Sequence, residues 1–175
     1  MLKVDLRVKH LELRNNLSVE EQECFSTLIF NRLIEIAKGY NHIGVYISMR
    51  HEVDTRTFIQ WCFEHNKHVY VPKIVKDRMI FIEIHNLNKC TINKMGILEP
   101  ITNNASKAPL ELMVIPMLAY NQRNYRLGYG KGYYDQYLSQ TDAYKLGICF
   151  SMNLENELIK EEHDVKLAQI VTELK

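Results

Sequence analysis

One stretch constrains this chain more than any other: Arg126-Leu127-Gly128-Tyr129-Gly130-Lys131-Gly132-Tyr133-Tyr134-Asp135-Gln136-Tyr137-Leu138. Before it lies the apolar run Leu112-Met113-Val114-Ile115, which reads as a buried strand closed by Pro116. After it the pattern predicts a helix over 133–140. Glycines at every second place let backbone approach a bulky anion without Cβ clashes and permit positive φ. Their N–H groups can then point at phosphate oxygens, helped by the positive end of the following helix. Arg126 adds a rigid fork and Lys131 a point charge. Asp135 falls in the first turn of the helix, where a carboxylate would meet a magnesium ion held by nucleotide phosphates. The spacing fits neither the P-loop nor the dinucleotide fingerprint.

Anion attraction must be local, because the formal net charge is only +1. Such a chain has no general field for nucleic acid or acidic membranes, and neither is expected as a partner. The four cysteines (Cys24, Cys62, Cys90, Cys149) are scattered without a C-x-x-C pair, so neither a zinc site nor a disulfide framework is expected. Residues 1–10 lack an apolar h-region, and no run approaches the ~18 apolar residues a membrane helix needs. These features point to a cytoplasmic protein. A length of 175 residues with 46% apolar content suits one domain spanning 1–175.

Residues 1–14 read as a helix with Leu2, Leu6 and Leu13 on or near one face and basic residues on the other. Lys3 and Arg7, four apart, project from one side of it. Ser18-Val19-Glu20-Glu21 is a capping box for a helix to about Ala37 that buries Leu28, Ile29, Leu33 and Ile36. A strand over 43–48, a helix over 55–65 and a strand over 68–72 imply a right-handed parallel crossover. Ligands of such sheets collect outside the carboxyl ends of the strands, which marks the loop 48–55. Residues 79–84 predict a further strand on a side sheet, and 145–150 another strand after the glycine loop. Among the seven histidines, His65 and His68 fall at a helix-to-strand turn, and no Ser-His-Asp or Cys-His grouping has supporting context.

The long string R-L-G-Y-G-K-G-Y-Y-D-x-Y-L resembles the signature of the 5-formyltetrahydrofolate cyclo-ligase (5,10-methenyltetrahydrofolate synthetase) family. Other elements are similar to that family along nearly the whole chain: Lys3-Val4-Asp5-Leu6-Arg7, Glu52-Val53-Asp54-Thr55, Gly96-Ile97-Leu98-Glu99-Pro100, His163-Asp164-Val165 and Val171-Thr172-Glu173. One position departs from the pattern. Asn121 stands where the family usually has aspartate; the change removes a charge, and Asn121 is left out of the site.

The resemblance implies a three-layer α/β/α fold with a mainly parallel sheet, similar to ribose-phosphate isomerases and coenzyme A transferases. It implies ATP- and Mg²⁺-dependent cyclisation of 5-formyltetrahydrofolate, with or without a polyglutamate tail, to 5,10-methenyltetrahydrofolate. ATP would lie on Lys3, Val4, Asp5, Leu6 and Arg7 and on Arg126, Leu127, Gly128, Tyr129, Gly130, Lys131, Gly132, Tyr133 and Tyr134. Arg126 and Lys131 would serve the chemistry, Asp135 and Asp164 the metal, and Ile47 and Glu52 the folate. Glu52 also sits, by position alone, just past a strand at the sheet's carboxyl edge. Two other functions fit the residues: a small-molecule kinase or ligase on a non-folate substrate, and a nucleotide-binding module without turnover.

Overall fold

A computed structural model describes residues 2–49, 51–94 and 96–175. Met1 and Arg50, which fall in segments read above, lie outside them. Helix α1 spans Lys3–Asn15 and α2 spans Val19–Ala37. The capping box between them forms as expected: Ser18 Oγ accepts from the Glu21 N–H at 3.1 Å, and the Ser18 N–H donates to Glu21 Oε2 at 2.9 Å. Along α2 the buried stripe is Ser26, Ile29, Leu33 and Ala37. Leu28, expected inside, is exposed, because it lies about a quarter turn from that stripe.

The inner stripe of α1 is Leu6, His10 and Arg14, at i, i+4 and i+8. This corrects the expected face, since Leu2 is exposed and two basic residues turn inward. They can do so because partners await them. His10 meets Glu155 and Asn153, and Arg14 meets the carbonyls of His51 and Met117. Polar groups survive burial when they are hydrogen-bonded.

Strand β1 (His42–Val45), helix α3 (Arg56–Glu64) and strand β2 (His68–Val75) follow, with β1 and β2 parallel. β3 (Arg78–Ile84) then returns antiparallel to β2 inside the main sheet rather than in a side sheet. The turn explains the misreading. Lys76 and Asp77 hold φ of 48° and 60°, the mirror-image hairpin turn, without the Asn-Gly or Asp-Gly pair that usually announces it. β4 (Cys90–Ile92) and β5 (Leu98–Pro100) form a small antiparallel hairpin. After β6 (Leu112–Pro116), a two-stranded ribbon of β7 (Ala119–Tyr120) and β8 (Arg126–Leu127) leads into the glycine loop. Helix α4 covers Tyr133–Leu138, two residues less than expected. β9 (Tyr144–Ile148) and β10 (Gln169–Val171) complete the chain.

The main sheet runs β10-β9-β6-β1-β2-β3, parallel except for β3. Alternate residues face opposite sides. Ile43, Val45, Val69, Leu112, Val114 and Leu146 pack under α2 and α3. Tyr70, Met113 and Ile115 face a thinner layer made of α4 and coil, where Leu110, Leu138 and Leu167 pack. Two strand glycines face that thin layer. A Cβ on Gly44 would stand 2.9 Å from Leu110 Cδ1, and one on Gly147 would stand 2.6 Å from Leu167 Cδ1. Their bare backbone lets coil lie flat where a helix would otherwise be needed. From β1 the chain builds outward through β2 and β3; from β6 it builds the other way through β9 and β10. The switch between β1 and β6 is where a crevice opens at the carboxyl edge.

Candidate active site

At that edge lies a cavity of about 980 Å³, bordered by Tyr46 and Ile47 after β1, by Pro116 of β6 and by the whole segment 126–135. Its size is at the upper end of small-molecule sites, roughly 300–1,000 Å³. Lys3, Arg7, Ile47, Glu52, Asp135 and Asp164 all border it. Val4 and Asp5 project outward, and Leu6 packs with Ala119, Leu127 and Leu158. None of the three borders the cavity.

The glycine loop has the backbone its sequence calls for. Gly130 and Gly132 hold φ of 93° and 72°, a region L side chains rarely enter. The space their missing side chains leave is taken by guanidinium groups. A Cβ on Gly130 would lie 3.0 Å from Arg7 Cζ, and one on Gly128 would lie 2.6 Å from Arg126 Nη1. Arg7 Nε also donates to the Gly128 carbonyl at 2.9 Å. Cationic side chains therefore lie along the loop itself, and the exposed Lys131 adds a third positive group.

Arg126 is buried, with Nη2 2.8 Å from Asp135 Oδ2. The contact is an ion pair without hydrogen-bond alignment, and Nε has no partner among the described residues. The guanidinium lies 5.5 Å from the centre of the Tyr134 ring. The Tyr134 hydroxyl is itself buried without a partner, and burial pushes its pKa well above the ordinary 10. These buried donors are therefore free to meet an acceptor from outside the described residues.

Asp135 Oδ1 accepts a long bond from the Val165 N–H, 3.4 Å, which brings the segment carrying Asp164 alongside α4. Asp164 Oδ2 accepts from the Glu161 N–H at 2.7 Å and pairs with Lys3 Nζ at 2.7 Å. Lys3 lies 3.1 Å from Glu161 Oε2 as well. Potential ligand atoms of Glu161, His163 and Asp164 fall within 4.8 Å of one another. Oxygen donors beside a phosphate-sized cavity are the set a magnesium ion takes, usually one or two carboxylates plus phosphates and waters. Glu161 and Asp164 offer oxygens that fit that ion; Asp135 borders the same cavity but falls outside that group, its carboxylate paired with Arg126.

Across the cavity, Glu52 is buried. Its Oε1 accepts from the Tyr129 hydroxyl at 2.6 Å and its Oε2 from the Met49 N–H at 2.9 Å. The Tyr129 oxygen in turn accepts from Arg14 Nη2 at 3.3 Å. The Tyr129 residue is 45% exposed as a whole, but desolvation around its hydroxyl, reinforced by Glu52, raises its pKa above the usual value. Burial opposes the charge on Arg14, but Tyr129 and Glu52 outweigh it and the guanidinium pKa goes up. The Tyr129 side chain thus has a definite place beside Glu52.

Sequence reasoning missed Arg14, Lys73 and Glu161. Arg14 comes inward only through tertiary packing. Lys73 borders the cavity while donating to the carbonyls of Pro100 and Thr102 at 2.6 and 3.2 Å. A basic residue beyond Pro72 was the only local signal. Asn121 is structural: Nδ2 donates to the Leu158 carbonyl, and Oδ1 accepts from the Arg123 and Tyr125 N–H groups, each at 3.0 Å. An aspartate could accept the second pair but could not make the first bond.

Fold and cavity define an α/β protein with a cation-lined cavity at the carboxyl edge of its sheet. The model of the 5-formyltetrahydrofolate cyclo-ligase family matches residues 2–173. A probable 5-formyltetrahydrofolate cyclo-ligase of Schizosaccharomyces pombe is 30% identical over 171 residues, covering 84% of this chain and 83% of that protein. The solved 5,10-methenyltetrahydrofolate synthetase of Mycoplasma pneumoniae superposes with a TM-score of 0.81 at 26% identity, covering 99% of each chain. That of Aquifex aeolicus gives 0.88 at 27%, covering all of this chain and 91% of the other. The chain belongs to the 5-formyltetrahydrofolate cyclo-ligase family.

Proposed function

We propose that this enzyme cyclises 5-formyltetrahydrofolate to 5,10-methenyltetrahydrofolate with ATP and Mg²⁺, releasing ADP and phosphate. One observation carries the reading beyond family membership: a single cavity is bordered by both the cation-lined glycine loop and Glu52. The chemistry needs that adjacency. An amide oxygen is a poor leaving group, so N10 cannot close the ring and expel water unaided. The formyl oxygen attacks the γ-phosphorus and ADP departs. N10 then attacks the activated formyl carbon, its proton goes to water, and phosphate leaves.

Phosphoryl transfer asks mainly for positioning and charge neutralisation. The loop N–H groups, Arg126, Lys131, Lys3 and Arg7 serve the triphosphate. Asp135 and Asp164 would hold the magnesium ion, whose contribution is to neutralise charge on the phosphate oxygens. Glu52 would accept the adjacent N–H donors of the pterin ring, and Ile47 would pack against it. No protein nucleophile is required.

Among the described residues no helix is long and apolar enough to cross a membrane, and all four cysteines are free. Both facts support a cytoplasmic setting. The test is incubation with ATP, Mg²⁺ and 5-formyltetrahydrofolate, following absorbance of the methenyl product. Product formation that stops when any one component is omitted is expected. ATP hydrolysis dependent on another acceptor would identify a different kinase or ligase, and tight ATP binding without turnover a non-catalytic module.

A further inference from the structure

Arg14 is outside the motifs that define the site, yet it is nearly sealed from solvent, 3% exposed. Two of its bonds are structural: Nε donates to the His51 carbonyl at 2.6 Å and Nη1 to the Met117 carbonyl at 3.3 Å. The third goes to a side chain on the cavity wall, Tyr129, whose hydroxyl donates onward to Glu52. A guanidinium cannot accept, so the Arg14 N–H occupies one side of the phenol oxygen and directs the phenol proton toward Glu52. The carboxylate then receives one donor on each oxygen: Tyr129 on Oε1 and the Met49 N–H on Oε2. The last torsion of a glutamate is otherwise soft. Two fixed donors hold its plane and leave each oxygen a lone pair for a ligand with adjacent N–H groups.

We infer that Arg14 is a positioning residue for folate, acting through the Tyr129 hydroxyl to fix the Glu52 carboxylate. The inference rests on the reading that Glu52 holds the pterin. It also gives the glycine loop a second duty. On the proposed reading the backbone flanking Tyr129 would serve the phosphates, while its hydroxyl reaches Glu52.

The experiment is a double-mutant cycle of Arg14→Gln and Tyr129→Phe, with Glu52→Gln as reference. KM for 5-formyltetrahydrofolate, KM for ATP, kcat and the urea midpoint are measured for each variant. Each single change is expected to raise the folate KM about tenfold, as for loss of one charge-linked hydrogen bond. The ATP KM and kcat stay within about twofold. The double variant is expected to be no worse than either single one, because both break the same relay. If Arg14→Gln raises the folate KM equally with or without the Tyr129 hydroxyl, Arg14 acts only as a structural anchor and the inference fails. A fall in folate KM in Tyr129→Phe overturns it too, since the hydroxyl would then obstruct Glu52. Should Arg14→Gln not fold, Arg14→Lys replaces it in the cycle; lysine lacks the fork that makes all three bonds. Glu52→Gln separates the two readings. If it leaves the folate KM unchanged, the pocket assignment is wrong; if it raises that KM while the cycle is additive, only the role of Arg14 is.

Discussion

Asp135→Asn should have two effects with separate readouts. Asp135 Oδ2 lies 2.8 Å from Arg126 Nη2, and the two side chains are 17% and 4% exposed. Removing one partner of a well-buried pair costs about 3–5 kcal/mol. Asparagine still offers Arg126 an oxygen, and the pair borders an open cavity, so a stability loss of about 1–2 kcal/mol is expected. The effect on chemistry is larger. A neutral amide is a poor magnesium ligand, and losing one preorganised electrostatic contact costs on the order of 10²–10³ in turnover. Initial rates against Mg²⁺ concentration, at saturating ATP and folate, read the second effect; urea unfolding in metal-free buffer reads the first. Excess Mg²⁺ should recover part of the lost rate and none of the lost stability. Near-normal turnover at limiting Mg²⁺ would remove Asp135 from the metal site and leave it as the counter-ion of Arg126.

Arg126→Ala and Lys131→Ala should each weaken ATP binding by about 1.5–3 kcal/mol and change folate binding little, as read by calorimetry with each ligand alone. Gly130→Ala should lower ATP affinity at least about tenfold, because its φ of 93° is strained for alanine and the new Cβ would press on Arg7 at 3.0 Å; unchanged affinity would show that the loop is not held in this shape when it binds. Acid should loosen α1 in two stages. Burial lowers the His10 pKa below 6.5, so the unfolded chain takes up that proton first and stability falls as pH drops below about 6.5. Glu155, held down to about 2 chiefly by Lys9, adds a second loss as pH falls below its ordinary 4.5. Urea midpoints across this range should show both stages, and His10→Gln should flatten the first.

The glycine loop was legible because its chemistry is local: alternate glycines, two cations and an acid on a helix start need no distant partner to be recognised. The core strands were legible for the same reason, as short apolar runs between turn residues. The inner face of α1 was not. Leu6, His10 and Arg14 follow a helical period, but a histidine and an arginine on it look solvated until Glu155 and the His51 and Met117 carbonyls are brought to them. Leu2 and Val4, apolar yet exposed, pull the apparent hydrophobic face the wrong way. β3 was misplaced for lack of a turn signature at Lys76-Asp77. Asp164 could be singled out only through the family resemblance, because no named helix or strand carries it and its neighbours His163 and Val165 follow no period.

The pairing of Lys3 with Asp164, and of Lys9 with Glu155, ties α1 to segments more than 140 residues later, the first pair at the edge of the cavity. A ribosome delivers α1 first and its partners last, at about 5–20 residues per second. By the time β3 has emerged, three strands of the main sheet exist, but the wall opposite Lys3 does not. A chain that stops before residue 126 therefore lacks both the glycine loop and the Asp164 segment that border the cavity. On the reading proposed above, competence to bind would arrive late, and such a product would be inert rather than a half-working sink for its own substrates.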